Sequence, residues 1–266
     1  MNIATWNVNS LGVRLPQVLR WLSAAAEKAQ PVDILCLQEL KLTDDKFPAA
    51  ALEEAGYSCL YSGQKTYNGV AILWHRAAFA ETPTDVIRDI PGFADEQRRI
   101  IAATFPGGLR VVCGYFPNGQ MPGTDKFSYK LRWMTALQGW LDEEMRRHPD
   151  LVLLGDFNIA PEDRDVHDPA KWIGQNLVSP EERGALAGLL GLGLHDAFRK
   201  FPQADKLFSW WDYRMMGFRR NAGLRIDLIL LSAGLLGRCT ACVIDKEPRG
   251  WEQPTDHAPV TATLDL

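Results

Sequence analysis

The sequence predicts an α/β fold that forms one domain over residues 1–266. Short apolar runs rich in Val, Ile and Leu recur from end to end, as buried strands do. Segments with the spacing of amphipathic helices lie between these runs. The 46% of hydrophobic residues is enough to bury the core of one large domain or two small ones. Because no Gly/Ser-rich or Pro-rich linker and no low-complexity segment divides the chain, one domain is favoured.

Eight apolar runs predict the strands. They cover residues 3–8, 32–38, 69–74, 99–105, 109–116, 151–155, 225–231 and 259–264. Each half of the chain contains a strand that ends in polar residues, TWNVN at 5–9 and LLGDFN at 153–158. This similarity favours two packed halves.

Three segments predict helices because their apolar residues recur at i, i+3 and i+4 or because they carry helix-start signals. They cover residues 14–29, 126–148 and 179–190. The third opens with Ser179, Pro180 and Glu182, which predict an N-cap, a first-turn proline and a capping box.

Composition limits the cellular setting. The longest apolar stretch, 185–194, is too short and too rich in glycine to cross a bilayer, and residues 1–10 lack the basic and then apolar regions of a secretory signal. Five cysteines leave one unpaired under any full disulfide scheme, which favours a reducing, cytoplasmic setting. Cys239 and Cys242 form a lone CxxC without a second pair at zinc spacing, so a packing role is favoured for both.

The net charge is −4, with 29 basic and 33 acidic side chains. This balance does not indicate a polyanionic partner, but it does not exclude one either, because a basic groove can lie on an acidic protein.

Asp156 and Asn158 follow the apolar run of LVLLGDFNIAP, residues 151–161. Successive strand residues face opposite sides, so the two polar side chains are expected to share one side while Phe157 faces the core. An ordinary alternative is that they only close the strand by hydrogen-bonding their own backbone in a turn, with Pro161 nearby.

The same pattern of polar residues recurs at other strand ends. The further candidates are Asn7, Asn9, Gln38, Glu39, Tyr115, Asn118, Asp227, Asp256 and His257. Taken singly, Asn7 could be a buried amide satisfied by the backbone, and Glu39 a solvated strand exit. Asp227 is harder to explain in this way, because an acid inside an apolar run costs several kcal/mol unless it has a partner. His257 is the obvious partner for Asp227.

Converging strand ends would require a cation. Carboxylates about 5 Å apart repel by roughly 3 kcal/mol at an effective dielectric near 20. Carboxylate and amide oxygens suit Mg²⁺, with Mn²⁺ as a substitute, whereas the five histidines lack HxH or HExxH spacing for zinc. An acid, an amide, a phenol and a histidine around a metal suit the attack of water on a phosphodiester. No P-loop, GxSxG or dinucleotide glycine motif competes with this interpretation.

Seven motifs occur in one order along essentially the whole chain. They are TWNVNS, LQELK, GYFPNG, LLGDFNIAP, FSWWDYR, GLRIDLIL and TDHAPV. Together they resemble the bacterial type of the exonuclease III family of DNA-repair nucleases, within the endonuclease/exonuclease/phosphatase superfamily. The resemblance implies a four-layer α/β sandwich, in which two packed mixed β-sheets are flanked by helices, with a metal-dependent nuclease site at one edge.

The resemblance also implies a metal site. Glu39 would be the principal Mg²⁺ ligand, with Asn7 and Asp256 supporting the metal region. Some members of the family carry an acid where this chain has Asn9, so the surroundings of the metal are expected to differ. The number of ions, one or two, stays open.

Catalytic roles follow from the same resemblance. Asp156 would orient or deprotonate the attacking water and Asn158 would position it, and both are candidates for holding a second ion. His257, held by Asp227, would stabilise charge on the phosphoryl oxygens. The other residues expected to face the scissile phosphate are Tyr115 and Asn118.

A loop rich in aromatic residues, methionines and arginines, residues 208–223, is expected to contact DNA. In the family, the tryptophan at position 210 helps to wall the pocket for a flipped, base-less sugar, and apolar wedges beside arginines suit binding in the minor groove. The alternative is that Trp210 and Trp211 alternate between core and surface while the arginines are only solvated. The expected DNA contacts are Trp210, Arg214, Arg219, Arg220 and Lys41, with Lys65 and Arg14 as further phosphate contacts.

The resemblance predicts a Mg²⁺-dependent hydrolase of double-stranded DNA, expected to be a monomer with no membrane partner. It would cut 5′ of abasic sites and remove nucleotides or blocking groups from 3′ ends. The alternatives are another phosphatase or phosphodiesterase of the superfamily, and a DNA-binding protein without turnover. The balance among activities is expected to depend on loops 118–126, 162–178 and 212–224, and His167 in the second is expected to face solvent.

Overall fold

Fourteen strands and six helices make up the computed structural model, which describes residues 1–266. The strands are β1 (Asn2–Asn7), β2 (Ile34–Gln38), β3 (Tyr57–Ser62), β4 (Val70–His75), β5 (Thr84–Arg88), β6 (Ile100–Thr104), β7 (Arg110–Tyr115), β8 (Leu151–Asp156), β9 (Leu194–Asp196), β10 (Trp210–Trp211), β11 (Gly223–Leu224), β12 (Asp227–Ser232), β13 (Cys239–Ile244) and β14 (Val260–Leu264). The helices are α1 (Leu11–Glu27), α2 (Ala49–Glu54), α3 (Asp125–Arg147), α4 (Pro169–Trp172), α5 (Pro180–Leu190) and α6 (Ala233–Arg238).

Two six-stranded mixed sheets contain most of the strands. The first sheet has the order β13-β14-β1-β2-β4-β3, and the second has the order β5-β6-β7-β8-β12-β9. Within these sheets, the parallel pairs are β1 with β2 and β7 with β8, while the other neighbours are antiparallel. The two-residue strands β10 and β11 form a separate ribbon.

Three apolar clusters hold the layers together. Ile3 of β1 and Leu154 of β8 belong to the cluster between the sheets. Trp6, which faces the other side of β1, packs in a cluster with Leu22 of α1. Leu137 of α3 packs in a third cluster on the outer face of the second sheet. The predicted four-layer α/β sandwich is therefore confirmed, and β1 and β8 are inner strands of different sheets.

All eight predicted strands are present, and the four strands of the two large sheets that the sequence did not reveal lie at sheet edges. The missed edge strands are β3, β5, β9 and β13. An edge strand has one neighbour and an exposed side, so it does not need the continuous apolar run that marks a central strand. Cys239 and Cys242 are buried on β13 and unpaired, in agreement with the packing interpretation.

The three predicted helices agree closely with the sequence patterns, whereas the short helices α2, α4 and α6 were not predicted. Helix α3 lies within one residue of its predicted ends, whereas α1 begins at Leu11, three residues before its predicted start. The capping box of α5 is confirmed, because Ser179 Oγ accepts the N–H of Glu182 at 3.2 Å. No helix combines the length and the apolar character needed to cross a bilayer.

A buried arginine fastens the 162–178 loop to the second sheet. Arg225 Nε lies 2.7 Å from Asp165 Oδ1, and its Nη2 lies 2.7 Å from Asp196 Oδ2 on β9. We expect Arg225→Met to lower the free energy of unfolding by about 3–5 kcal/mol, because it leaves buried carboxylates without their main cation. Urea denaturation measures this loss. Arg164→Met, which removes an exposed pair with Glu162, is the control with an expected loss of at most about 1 kcal/mol; equal losses would contradict the prediction.

Candidate active site

Asp156 ends β8 and points into the space between the two sheets. Its strand neighbour Leu154 belongs to the cluster between the sheets, whereas Phe157 packs in the outer cluster with α3. Asn158 donates its backbone N–H to Asp156 Oδ1 at 2.9 Å and its Nδ2 to Oδ2 at 3.2 Å. The predicted opposite sides of Asp156 and Phe157 are therefore confirmed, but Asn158 lies beyond the end of β8 and comes to the side of Asp156 through a turn. The turn alternative is realised as well, since the first of these bonds closes an Asx turn.

A glycine allows β8 to approach β7 closely before this turn. A Cβ on Gly155 would lie 1.8 Å from the carbonyl oxygen of Gly114, so no other residue fits without moving the strand. The register then places Tyr115 of β7 and Asp227 of β12 on either side of Asp156. One row across the second sheet thus carries the phenol and both carboxylates.

Asn7 connects the first sheet to this row. Its Nδ2 donates to Glu39 Oε1 at 2.8 Å and to Asp156 Oδ2 at 2.8 Å. Its Oδ1 accepts the backbone N–H of Asn9 at 3.0 Å. Glu39 follows β2 with a left-handed φ of 55°, a conformation that costs a non-glycine residue energy and is common at functional sites. Asn7 therefore holds two carboxylates from different sheets together.

Glu39 and Asp156, with His257 close beside them, form a group whose two carboxylates fit a cation. One ligand atom from each lies within 4.8 Å of the others. Two carboxylates beside an amide provide the hard oxygen donors that Mg²⁺ or Mn²⁺ prefers. Lys41 Nζ lies 2.9 Å from Glu39 Oε2, so a cationic group already balances part of this negative charge.

Asp256 lies outside that group and reaches it through Asn9. Asp256 Oδ1 accepts Asn9 Nδ2 at 3.0 Å, and its Oδ2 accepts the indole N–H of Trp210 at 3.0 Å. Asn9 Oδ1 in turn accepts Lys41 Nζ at 2.5 Å. Although burial opposes it, the charge of His257 and the Trp210 bond hold the pKa of Asp256 below its usual value. The expected support of the metal region by Asp256 is thus indirect in this geometry.

His257 is paired with Asp227, as the buried acid in its apolar run required. His257 Nδ1 lies 2.9 Å from Asp227 Oδ2 and 3.1 Å from Oδ1. Its Nε2 points toward Asp156, at 3.7 Å from Oδ2. Burial opposes the charge of the imidazole, but Asp227 and Asp156 together raise its pKa to about 10. His257 is therefore a cation at neutral pH.

The environment keeps Asp156 and Tyr115 less ionised than free side chains. Burial raises the pKa of Asp156 to about 7, with His257 opposing and Asp227 adding to the rise. Burial, followed by the negative charges of Glu39 and Asp156, raises the pKa of the Tyr115 phenol well above its usual value. Asp156 therefore has the pKa of a general base at neutral pH, and Tyr115 stays a hydrogen-bond donor.

Asn118 joins the site from the loop after β7. Its Nδ2 donates to Asn158 Oδ1 at 3.1 Å, and its own Oδ1 accepts Nδ2 of Asn176 at 2.9 Å. Asn176 belongs to the 162–178 loop and was not identified from the sequence; only the polarity of that loop indicated that it matters. The 162–178 loop thus contacts the site directly.

The expected DNA contacts surround the site but differ in exposure. Trp210 is half-buried and packs against the cluster of Ala160 and Leu224, so a wall for a sugar pocket is compatible with its position. Arg219, Arg220 and Lys65 are exposed. Arg214 is exposed and paired with Asp212, and Arg14 donates to the carbonyl oxygen of Asn9.

Two side chains beside the site were missed. Arg99 lies with its guanidinium 4.9 Å from the centre of the Tyr115 ring, and Tyr67 is 66% exposed at a cleft of about 540 Å³ that both residues line with Asn118. Neither residue stands after the end of a predicted strand together with a second polar residue, which is the pattern that indicated site residues in the sequence. The expectation for His167 was wrong, because it is half-buried with Nδ1 at 3.2 Å from the Gly223 carbonyl oxygen.

Two packed mixed sheets with an acid, amide and histidine site at one edge define a class of sandwich-fold phosphoesterases. The chain belongs to the endonuclease/exonuclease/phosphatase family, whose profile matches residues 4–257. It is 38% identical to exodeoxyribonuclease III of Haemophilus influenzae over 98% of this chain and 99% of that protein. The resemblance to the exonuclease III family is therefore confirmed.

Solved structures agree with this assignment. A 3′ phosphatase from Neisseria, solved with a product DNA hairpin, has a TM-score of 0.93 and 48% identity, with all of both chains covered. An AP endonuclease from Archaeoglobus fulgidus has a TM-score of 0.91 and 36% identity, also over all of both chains. Proteins similar to this chain along their whole length thus carry the names of an exodeoxyribonuclease, a 3′ phosphatase and an AP endonuclease.

Proposed function

We propose that this protein is a Mg²⁺-dependent phosphodiesterase of double-stranded DNA. It cuts the strand 5′ of abasic sites and removes nucleotides or blocking groups from 3′ ends. The observation that carries the proposal is the convergence of Glu39, Asp156 and Asn158 with the Asp227–His257 pair at one edge of the sandwich. The names of the similar proteins support DNA as the substrate.

The residues divide the work of hydrolysis among them. Asp156 takes a proton from the attacking water, for which its pKa of about 7 suits it. Asn158 bonds Asp156 and holds the water in line with the phosphorus. The His257 cation and the Tyr115 phenol donate to the phosphoryl oxygens, where negative charge grows in the transition state. Asn118 adds a second neutral donor nearby.

Glu39 would hold the Mg²⁺ ion, with Asp156 beside it and Asn7 fixing both carboxylates. When bound, the ion supplies charge that stabilises the phosphoryl oxygens and the leaving oxygen. Asp156 and Asn158 are the candidates for holding a second ion. The number of ions bound in a metal titration tests this part of the proposal.

The DNA is held by the loops around the site. We assign phosphate contacts to Lys41, Arg219 and Arg220, a contact in the minor groove to Arg214, and the wall of the pocket for the base-less sugar to Trp210. Met215 and Met216, which are 77% and 62% exposed beside them, provide the apolar wedges that groove binding uses.

A cleavage assay on labelled duplexes tests the function. One duplex carries an abasic-site analogue, one a recessed 3′ end and one a 3′-phosphate, each with Mg²⁺ and with chelator. The expected result is metal-dependent cleavage of all three. Binding without cleavage in Mg²⁺ would overturn the enzymatic proposal. Hydrolysis of small phosphate esters without cleavage of any duplex would show that DNA is not the substrate.

Loss of the proposed metal ligand should appear in a Mg²⁺ titration. We expect Glu39→Gln to raise the Mg²⁺ concentration for half-maximal cleavage by at least about 10–100-fold, the scale on which metal sites respond to loss of a supporting group. Direct Mn²⁺ binding, measured by calorimetry, gives a readout besides activity. Glu54→Gln, at an exposed position on α2, is the control. An unchanged titration in the Glu39 variant would remove this residue from the metal site.

The pH profile of cleavage should be wide on the alkaline side. The rate should rise as Asp156 loses its proton, at or below its pKa of about 7 because a bound cation favours the carboxylate. It should fall as His257 loses its charge, at or below its pKa of about 10 because the same cation opposes the charged imidazole. Measurement of kcat/KM across pH checks both limbs; a decline that begins near neutral pH would contradict the assignment of His257.

We extend the proposal to a monomer in a reducing, cytoplasmic setting. All five cysteines are unpaired. Light scattering with and without DNA measures the oligomeric state, and a stable dimer in the absence of DNA would contradict this part.

A further inference from the structure

A buried lysine lies directly beneath the two loops that carry Asn118 and Asn158. Lys130 projects from α3, and none of its side chain is exposed. Its Nζ donates to the carbonyl oxygen of Asn158 at 2.7 Å and to that of Asn118 at 3.4 Å. The third partner is Oε1 of Glu182 on α5, at 2.6 Å. An ammonium has three donors, and two of the three here hold the backbone of residues whose amides lie at the proposed reaction site.

Glu182 is itself fully engaged. Its Oε1 also accepts the N–H of Leu177 at 3.0 Å, and its Oε2 accepts the N–H of Ser179 at 3.1 Å and the Oγ of Ser179 at 2.7 Å. Leu177 and Ser179 connect the 162–178 loop to α5. The ion pair therefore ties α3 and α5 to three loops that meet at the site.

Stability alone does not account for this arrangement. Burial lowers the pKa of Lys130, and the charge of Glu182 only partly opposes that effect. A buried ion pair is often no more stabilising than apolar residues of the same volume. The 118–120 loop is also fitted to the lysine, because a Cβ on Gly119, whose φ is 83°, would lie 2.9 Å from Lys130 Cδ.

We propose that Lys130, paired with Glu182, is a positioning residue that fixes the backbone of Asn118 and Asn158 so that both amides face the reacting phosphate. Asn158 has a left-handed φ of 51°, and the Lys130 bond holds its carbonyl oxygen in that conformation. Asn118 then bonds Asn158 through their side chains at 3.1 Å. The inference rests on the proposed nuclease function, because it concerns the geometry of that reaction.

The test compares two buried ion pairs that share α3. The variant Lys130→Met/Glu182→Gln removes the pair beneath the site. The variant Arg110→Met/Glu144→Gln removes a pair of 2.7 Å, equally buried, whose α3 member lies near the other end of the helix. For each we measure thermal denaturation, the Kd for an abasic duplex in Ca²⁺, and kcat and KM in Mg²⁺.

The expected result is a comparable loss of thermal stability in both variants, but a fall in kcat of about 10²-fold only in the Lys130 variant, with Kd unchanged. A displacement of about 1 Å in a positioning group has effects of this size. Lys130→Arg keeps the charge opposite Glu182 and so protects the fold, but its longer planar head cannot take the same place, so kcat should fall about tenfold. The inference would be overturned if a folded Lys130 variant cleaved at the same rate as the Arg110→Met/Glu144→Gln variant. Absence of cleavage by the wild-type protein would instead overturn the proposed function.

Discussion

The substitution Asp156→Asn is expected to lower the rate of DNA cleavage by about 10⁴-fold. General-base catalysis by one side chain contributes about 10²–10⁴-fold, and Asp156 also lies in the metal group and bonds both Asn7 and Asn158. An asparagine has the same shape but accepts no proton at neutral pH. Single-turnover cleavage of an abasic duplex measures the effect.

The fold should tolerate this substitution. The pKa of Asp156 is raised in the folded state, so folding favours its protonated form. The charged form therefore costs stability as pH rises from the ordinary pKa of an aspartate toward about 7. A neutral amide avoids this cost, so the melting temperature at pH 8 is expected to stay equal or to rise. Asp150→Asn, just before the other end of β8, is the control with unchanged cleavage. A variant at position 156 that cleaves within about tenfold of wild type would remove the general base from the mechanism.

Strand alternation was enough to predict much of the site. Asp156 faces the space between the sheets and Phe157 the opposite core because the side-chain period is two, and the Asx turn that follows β8 places Asn158 beside Asp156. Asp227 was predictable for an energetic reason, since an acid in an apolar run needs a partner, and His257 supplies it. Both inferences use local rules that packing does not override in buried strands.

Contacts between distant loops were not predictable in this way. Asn176 meets Asn118, and Lys130 meets Glu182, only because α3, α5 and the 162–178 loop pack together on the second sheet. The sequence shows a lysine within an amphipathic helix, where a solvated position is the ordinary expectation. Likewise, Asn7 was expected at the metal region, but its role as a bridge between Glu39 and Asp156 depends on how two sheets face each other.

The substitution His257→Ala is expected to lower the cleavage rate by about 10³-fold. Removal of one preorganised donor to developing negative charge costs about 10²–10³-fold, and this donor carries a full charge. The Kd for DNA in Ca²⁺ should change little, because the imidazole acts on charge that appears only in the transition state. His195→Ala, at an exposed position on β9, is the control.

The substitution Asp227→Asn keeps the imidazole of His257 but removes the carboxylate that most favours its charge, so it tests the role of that charge. Two carboxylates raise the pKa of the imidazole to about 10, and Asp227 contributes more than Asp156. With a neutral partner the pKa must fall, so the loss of cleavage on the alkaline side should move to lower pH, while the rate at mildly acidic pH stays closer to wild type. The raised pKa also stabilises the fold below the ordinary pKa of histidine and ceases to do so as pH rises through about 10, so this variant should lose more stability at pH 6 than at pH 10. An alkaline limb that stays in place would show that the charge on His257 does not control the rate, and the phosphoryl oxygens would then have to be stabilised by the metal and the neutral donors alone.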